Sequence, residues 1–163
     1  MPGGSGPHQV WSARLAPLGA ARTFDYRVLQ ADKRVFQELG AKALPAMGQP
    51  QRVAVVGDVA DGTQETLDVA RRMVQEKVDY VVTSGDLAYP DGTVDDYRQK
   101  FFPVLNADPG QTSQGAPLLR NTVMVGVLGN HDVGLTSGNQ FKTDAHVLVD
   151  TTGAVRDSFV IQR

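Results

Sequence analysis

At 163 residues, 41% of them hydrophobic and 21% charged, with a net charge of −2, the chain is long enough to bury one core. That balance leaves no basic footprint for nucleic acid or for an anionic membrane surface. There is no cysteine, which excludes disulfides and thiolate zinc sites and leaves oxygen and nitrogen donors for any metal.

Residues 1–22 are rich in Gly, Pro and Ala without periodicity and read as a loop or tail, with His8 solvated. Met1-Pro-Gly-Gly-Ser-Gly-Pro lacks the charged and apolar regions of a signal peptide and fits a linker or the start of a fragment. No apolar run approaches the roughly 18 residues of a membrane span. From Thr23 to Leu29, Phe24, Tyr26 and Val28 alternate with polar residues, and a second β-like run follows from Arg34 to Leu39. Two such runs around a short polar turn predict a hairpin over 23–39. A lone hairpin is marginal in water, so this one is expected to belong to a larger sheet. Residues 40–51, with Gly40, Pro45, Gly48 and Pro50, read as a linker.

From Arg52 the pattern is β-α-β-α-β, the first part of an α/β domain running over 52–163. Val53–Val56 stops at Gly57-Asp58. Tyr80-Val81-Val82-Thr83-Ser84 runs into Gly85-Asp86, with Tyr89 three residues on. Val123–Leu128 ends at Gly129-Asn130-His131-Asp132. Short apolar runs of this kind read as buried parallel strands. Between the first two, Thr63 is a candidate N-cap for a helix whose Leu67, Ala70, Met73 and Val74 form an apolar stripe through about Lys77. After the second, Thr93 and Asp96 stand at capping-box distance ahead of Val94, Tyr97 and Phe101, and Pro103 is expected to break the helix. Residues 106–121 make a longer connection than most. Past His131, residues 146–149 and 158–161 are expected to pair around 150–153.

Ligands of open α/β sheets bind at the carboxyl ends of the strands, so three strands aim Asp58, Asp86 and Asn130/His131 at one rim. Each residue alone has a plainer role: a capping Asp, a turn Asn, a satisfied His, a half-buried Tyr. Three successive strands ending this way favour a metal site over turn chemistry. Two carboxylates at one rim repel each other, and a cation between them removes that cost. Two hard ions roughly 3.5–4 Å apart suit an oxygen-rich cluster that clamps a phosphoryl group. Asp61 and Asp91 read as loop or capping carboxylates. No P-loop is present, and Gly57-Asp58-Val59-Ala60-Asp61-Gly62 does not match the dinucleotide fingerprint. A receiver-like domain would need paired acids after the first strand and a late lysine, and neither is found.

Gly85-Asp86-Leu87-Ala88-Tyr89 and Gly129-Asn130-His131-Asp132 resemble the second and third signature blocks of calcineurin-like metallophosphoesterases. The spacing of Tyr89 from Asp86 resembles the purple acid phosphatase branch. Asp58-Val59-Ala60 stands where that branch has D-x-G, with Ala60 in place of glycine. The hairpin resembles the last strands of the β-sandwich domain that precedes the catalytic domain in this branch. The resemblance implies a sandwich fold and hydrolysis of phosphate monoesters at a binuclear metal centre. It implies that Asp58 and Tyr89 bind the first metal, Asp86 bridges both and Asn130 binds the second. His131 would contact substrate or protonate the leaving oxygen. The implied ions are Fe(III), favoured by a Tyr89 phenolate, and a divalent Zn, Fe or Mn. Asp132 is either a structural acid or a catalytic one.

Two later family blocks, V-x-x-H and G-H-x-H, are missing, and His146 does not supply them. The chain therefore reads as a fragment holding three of five blocks, with a non-catalytic relic of the fold or an interaction fragment as the alternative. Its predicted helices cover one sheet face, so self-association through the other face is expected, alongside binding of a phosphate ester. No nucleic-acid or membrane partner is expected. An extracellular or periplasmic setting is common in the resembled branch, and the sequence leaves the compartment open.

Overall fold

The computed structural model describes Ala13, residues 23–110 and residues 115–133. The stretches predicted at 1–12, 14–22 and 134–163, with His8, His146 and the pairing of 146–149 with 158–161, lie outside the described residues.

The hairpin forms as the alternation predicts, from β1 (Thr23–Gln30) and β2 (Lys33–Lys42), paired antiparallel. Among the described residues it is a two-stranded sheet of its own and not part of the larger sheet expected, held instead by its contacts with Arg120 and Val78. Ala31 and Asp32 both take left-handed backbone, φ 48° and 61°, the geometry of a tight two-residue hairpin turn. β2 runs three residues past the predicted end. Its extension buries Ala41 and lets Lys42 Nζ donate to the Val78 carbonyl at 2.6 Å, so packing overrides the turn signal of Gly40.

The second sheet is parallel, in the order β3 (Val53–Val56), β4 (Tyr80–Thr83), β5 (Val123–Val125). Its register sets Ala54, Val81 and Met124 side by side, and Val55, Val82 and Val125 in the next row. Side chains alternate across a strand, so these rows point to opposite faces. The first row enters a core built with Ala70 and Met73 of α1 (Gln64–Gln75), with Tyr97, Phe101, Val104 and Leu105, and with Leu118 of α4 (Leu118–Asn121). The second row is open: Val55 is 71% exposed and Val125 40%. Helices supply one layer only among the described residues.

Thr63 is the N-cap residue that the sequence suggests, while the readings of Val74 and Pro103 are corrected. Thr63 stands at the start of α1 in extended backbone, but its hydroxyl makes no capping bond. Asp61 supplies the acceptor, taking Thr63 N at 2.8 Å and the Thr66 hydroxyl at 3.1 Å. Val74 is on the exposed edge of the stripe, outside the core. Pro103 does not break its helix. α2 (Val94–Asp96) passes into a π-helical turn (Tyr97–Phe101) and then α3 (Phe102–Leu105), with Phe102 N bonding to the Tyr97 carbonyl five residues back. Proline lacks an N–H and crowds the carbonyl four residues earlier, and the widened turn accommodates both defects. The Thr93–Asp96 capping box forms as predicted. β5 stops at Val125, short of the predicted Leu128, and Gly126–Gly129 leave the ladder.

Candidate metal centre

β3 and β4 end in two sibling turns. Ser84 N bonds to the Val56 carbonyl at 2.8 Å, Asp58 N to the Gly85 carbonyl at 3.4 Å, and Val59 N to the Asp86 carbonyl at 3.3 Å. The ladder therefore continues past the strands and carries the two acids side by side. Asp58 and Asp86 both sit in left-handed backbone with φ 54°, a conformation short polar residues tolerate better than most. Strained acids at strand ends are a recurrent feature of binding sites.

The Tyr89 hydroxyl closes the gap between them. It donates a short hydrogen bond to Asp58 Oδ1 and lies 3.3 Å from Asp86 Oδ2. The bond to Asp58, then burial and the charge of Asp86, hold its proton well above the ordinary phenol range. Two carboxylates around one phenol leave no room for a further negative charge. The proton stands where positive charge is required, and a cation would invert that preference. An all-oxygen donor set of this kind fits hard ions.

The third strand brings in the loop after β5. α5 (Asn130–Val133) begins at its end. His131 N donates to Asp86 Oδ1 at 2.9 Å, and the His131 ring lies against Tyr89 with centroids 4.2 Å apart. His131 Nδ1 is 2.6 Å from the Pro90 carbonyl, which can only accept, so Nδ1 carries a proton and Nε2 is the nitrogen left for chemistry. Asn130 is exposed at the first position of α5. Asp58, Asp86, Tyr89 and His131 are thus brought into contact, with Asn130 next to them in the chain. Among the described residues no three His, Asp or Glu side chains gather into a metal-binding group.

The close approach depends on glycine. A Cβ at Gly129 would land on the Asp86 carboxylate, and one at Gly85 would come within 2.9 Å of Gly129 Cα. Ala60, where the resembled block has glycine, is fully buried and is not among the left-handed residues, so its methyl is accommodated. Its carbonyl accepts from Tyr89 N at 3.3 Å.

Two residues carry more than their sequence context suggests. Asp132 is 3% exposed and accepts from Leu87 N and Gly129 N, both at 2.9 Å, from Ala88 N at 3.2 Å and from the Tyr97 hydroxyl at 3.1 Å. Tyr97, predicted only as part of an apolar face, is the aromatic donor of that set. Burial, and then the charge of Asp132, keep its hydroxyl protonated far above the ordinary phenol range. A buried tyrosine needs a partner for its hydroxyl, the one signal by which it was detectable. Asp61 stays a capping carboxylate. Burial works against its charge, but the bonds from Thr63 and Thr66 prevail and hold it below the usual carboxylate range. The Asp91 amide donates to Asp96 within the capping loop.

A family model described as calcineurin-like phosphoesterase matches residues 51–159. No curated protein and no solved structure matches the chain.

Proposed function

This chain belongs to the calcineurin-like phosphoesterase family, and from that premise we propose that its rim serves an acid-phosphatase-type hydrolysis of phosphate monoesters at a binuclear centre. The family supports metal-dependent phosphoester hydrolysis in general and a phosphate ester as substrate. The finer reading rests on one observation: Asp58 and Asp86 converge on the Tyr89 hydroxyl at the carboxyl end of a parallel sheet.

In this reading Asp58 and Tyr89 would hold the first ion, Asp86 would serve both and Asn130 would hold the second. Bound ions supply Lewis-acid charge for the phosphoryl oxygens and acidify water for the attack. A Tyr89 phenolate would favour Fe(III) at the first position, with divalent Zn, Fe or Mn at the second. His131 is oriented by Pro90 through Nδ1, so protonated Nε2 can pass its proton to the leaving oxygen as the P–O bond breaks. Water supplies the oxygen that phosphorus gains, and the products are an alcohol and inorganic phosphate. We also propose that two copies associate through the sheet face carrying Val55 and Val125, which the described residues leave open. Residues 23–39 then stand as part of an N-terminal β domain, and 52 onward as the catalytic domain.

The test is hydrolysis of 4-nitrophenyl phosphate, with Fe(III) plus Zn(II) or Mn(II), by the chain joined to a segment that carries the missing V-x-x-H and G-H-x-H blocks. The chain by itself is expected to turn over little or nothing. Metal-dependent turnover that Asp86→Ala abolishes is expected. Iron-loaded protein should absorb visible light by phenolate charge transfer, and Tyr89→Phe should bleach it. No turnover with any of these ions, or turnover indifferent to Asp86, would overturn the reading.

A further inference from the structure

The two halves of the rim come from segments about 45 positions apart in sequence, and one buried side chain joins them. Leu87 and Ala88 directly follow Asp86. Gly129 directly precedes Asn130 and His131. The Asp132 carboxylate takes the amide protons of all three, with Leu87 N reaching Oδ1 at 2.9 Å and Oδ2 at 3.0 Å, Ala88 N reaching Oδ1 at 3.2 Å and Gly129 N reaching Oδ2 at 2.9 Å. A third element enters through the Tyr97 hydroxyl, 3.1 Å from Oδ1, at the first residue of the π turn. A carboxylate offers about four lone-pair positions, and these donors fill them. Gly92 belongs to the same contact, since a Cβ there would meet Asp132 Cα and the His131 carbonyl.

We propose that Asp132, held by Tyr97, is a positioning residue that sets Asp86 against His131. Its hydrogen bonds go to neither side chain. It fixes the backbone just after one and just before the other, and the bond from His131 N to Asp86 Oδ1 at 2.9 Å is the result. A π turn displaces its residues from ordinary helical spacing and is found often at functional sites. Here it places Tyr97 on the acid while Phe101 and Phe102 stay packed beside its ring. The inference rests on the hydrolase reading only in that Asp86 and His131 are the groups being positioned.

A role confined to holding the core would affect all protected amides together. A positioning role makes a narrower forecast, read by amide hydrogen exchange on the metal-free full chain. Asp132→Asn turns an N–H toward donors that now meet an oxygen, and Tyr97→Phe removes one donor while keeping the ring. In Asp132→Asn, protection of the His131 amide should fall about tenfold or more, the effect of stranding a buried donor, while Val81 and Val82 in β4 keep theirs. Tyr97→Phe should give a smaller loss at the same amide. The proposal is overturned if His131 keeps its protection while Leu87, Ala88 and Gly129 lose theirs, or if Val81 and Val82 fall in parallel. Should Asp132→Asn not fold, unchanged His131 protection in Tyr97→Phe overturns it equally. Turnover is a separate measurement: absence of hydrolysis in the phosphatase assay above counts against the hydrolase reading alone, because exchange is read without metal or substrate.

Discussion

Asp58 and Asp86 share a backbone conformation, yet they are unequally connected. Asp58 receives the Tyr89 hydroxyl, whereas Asp86 is close to that hydroxyl and also accepts His131 N. Asp86 therefore couples two loops, and its loss should be the more damaging. Calorimetric titration of the full chain with Mn(II) or Zn(II) is expected to show Asp86→Ala losing both ions and Asp58→Ala retaining one. Equal retention would remove Asp86 from the bridging position. Both acids were legible in the sequence because an apolar run stopping at Gly-Asp is a local signal, complete within a few residues. Asp132 was legible only as an acid of uncertain use. Its partners Leu87 and Tyr97 lie 45 and 35 positions away, and no local pattern encodes bonds across that separation.

Among the elements, the turn after β4 is the most constrained. Gly85 has φ +120°, and the backbone of Gly129 lies against the site of its missing side chain. Gly85→Ala combines a disfavoured backbone with that close contact and should cost on the order of 1–3 kcal/mol in urea unfolding. Metal affinity should fall with it, since the displaced segment carries Asp86. A variant that unfolds and binds metal as the unaltered chain does would show the turn to be compliant. The helices show where pattern reading stops. The capping box at Thr93 is local chemistry and was predictable. The passage of the helix through Pro103 was not, because the widened turn is selected by burial of Tyr97, Phe101, Val104 and Leu105 in one core. The early end of β5 has a similar origin: Gly129 must reach Asp86, and the chain leaves the ladder to do so.

At the scale of the molecule, the described residues cover the sheet on one side. Val55 and Val125 are open on the other face, and Val127, beyond the ladder, is 54% exposed. Each such side chain gains roughly 1.5–3 kcal/mol on full burial, so a few of them suffice to drive association. Sedimentation velocity is expected to show concentration-dependent association, reduced in Val55→Thr combined with Val125→Thr. A chain that stays monomeric at high concentration would exclude this face as the contact. The alternation of exposed and buried residues was readable only in part, because continuous runs such as Val53–Val56 look alike whether one face is covered or both.

The hairpin also bears on where the chain can be divided. Tyr26 donates to the Arg120 carbonyl at 2.7 Å, Arg120 lies over the Phe36 ring at 5.1 Å, and Asn121 reaches Glu38 at 3.3 Å. Composition draws a seam at residues 40–51, and a biochemist seeking a minimal catalytic unit would cut there. The fold has stitched across that seam, onto α4, immediately ahead of the strand that delivers Asn130 and His131. A chain shortened to begin at Gln51 should therefore melt less cooperatively than the full chain in calorimetry, and the loss should be felt first at α4 and β5. The modular boundary seen in the sequence and the mechanical boundary of the folded protein are two different places.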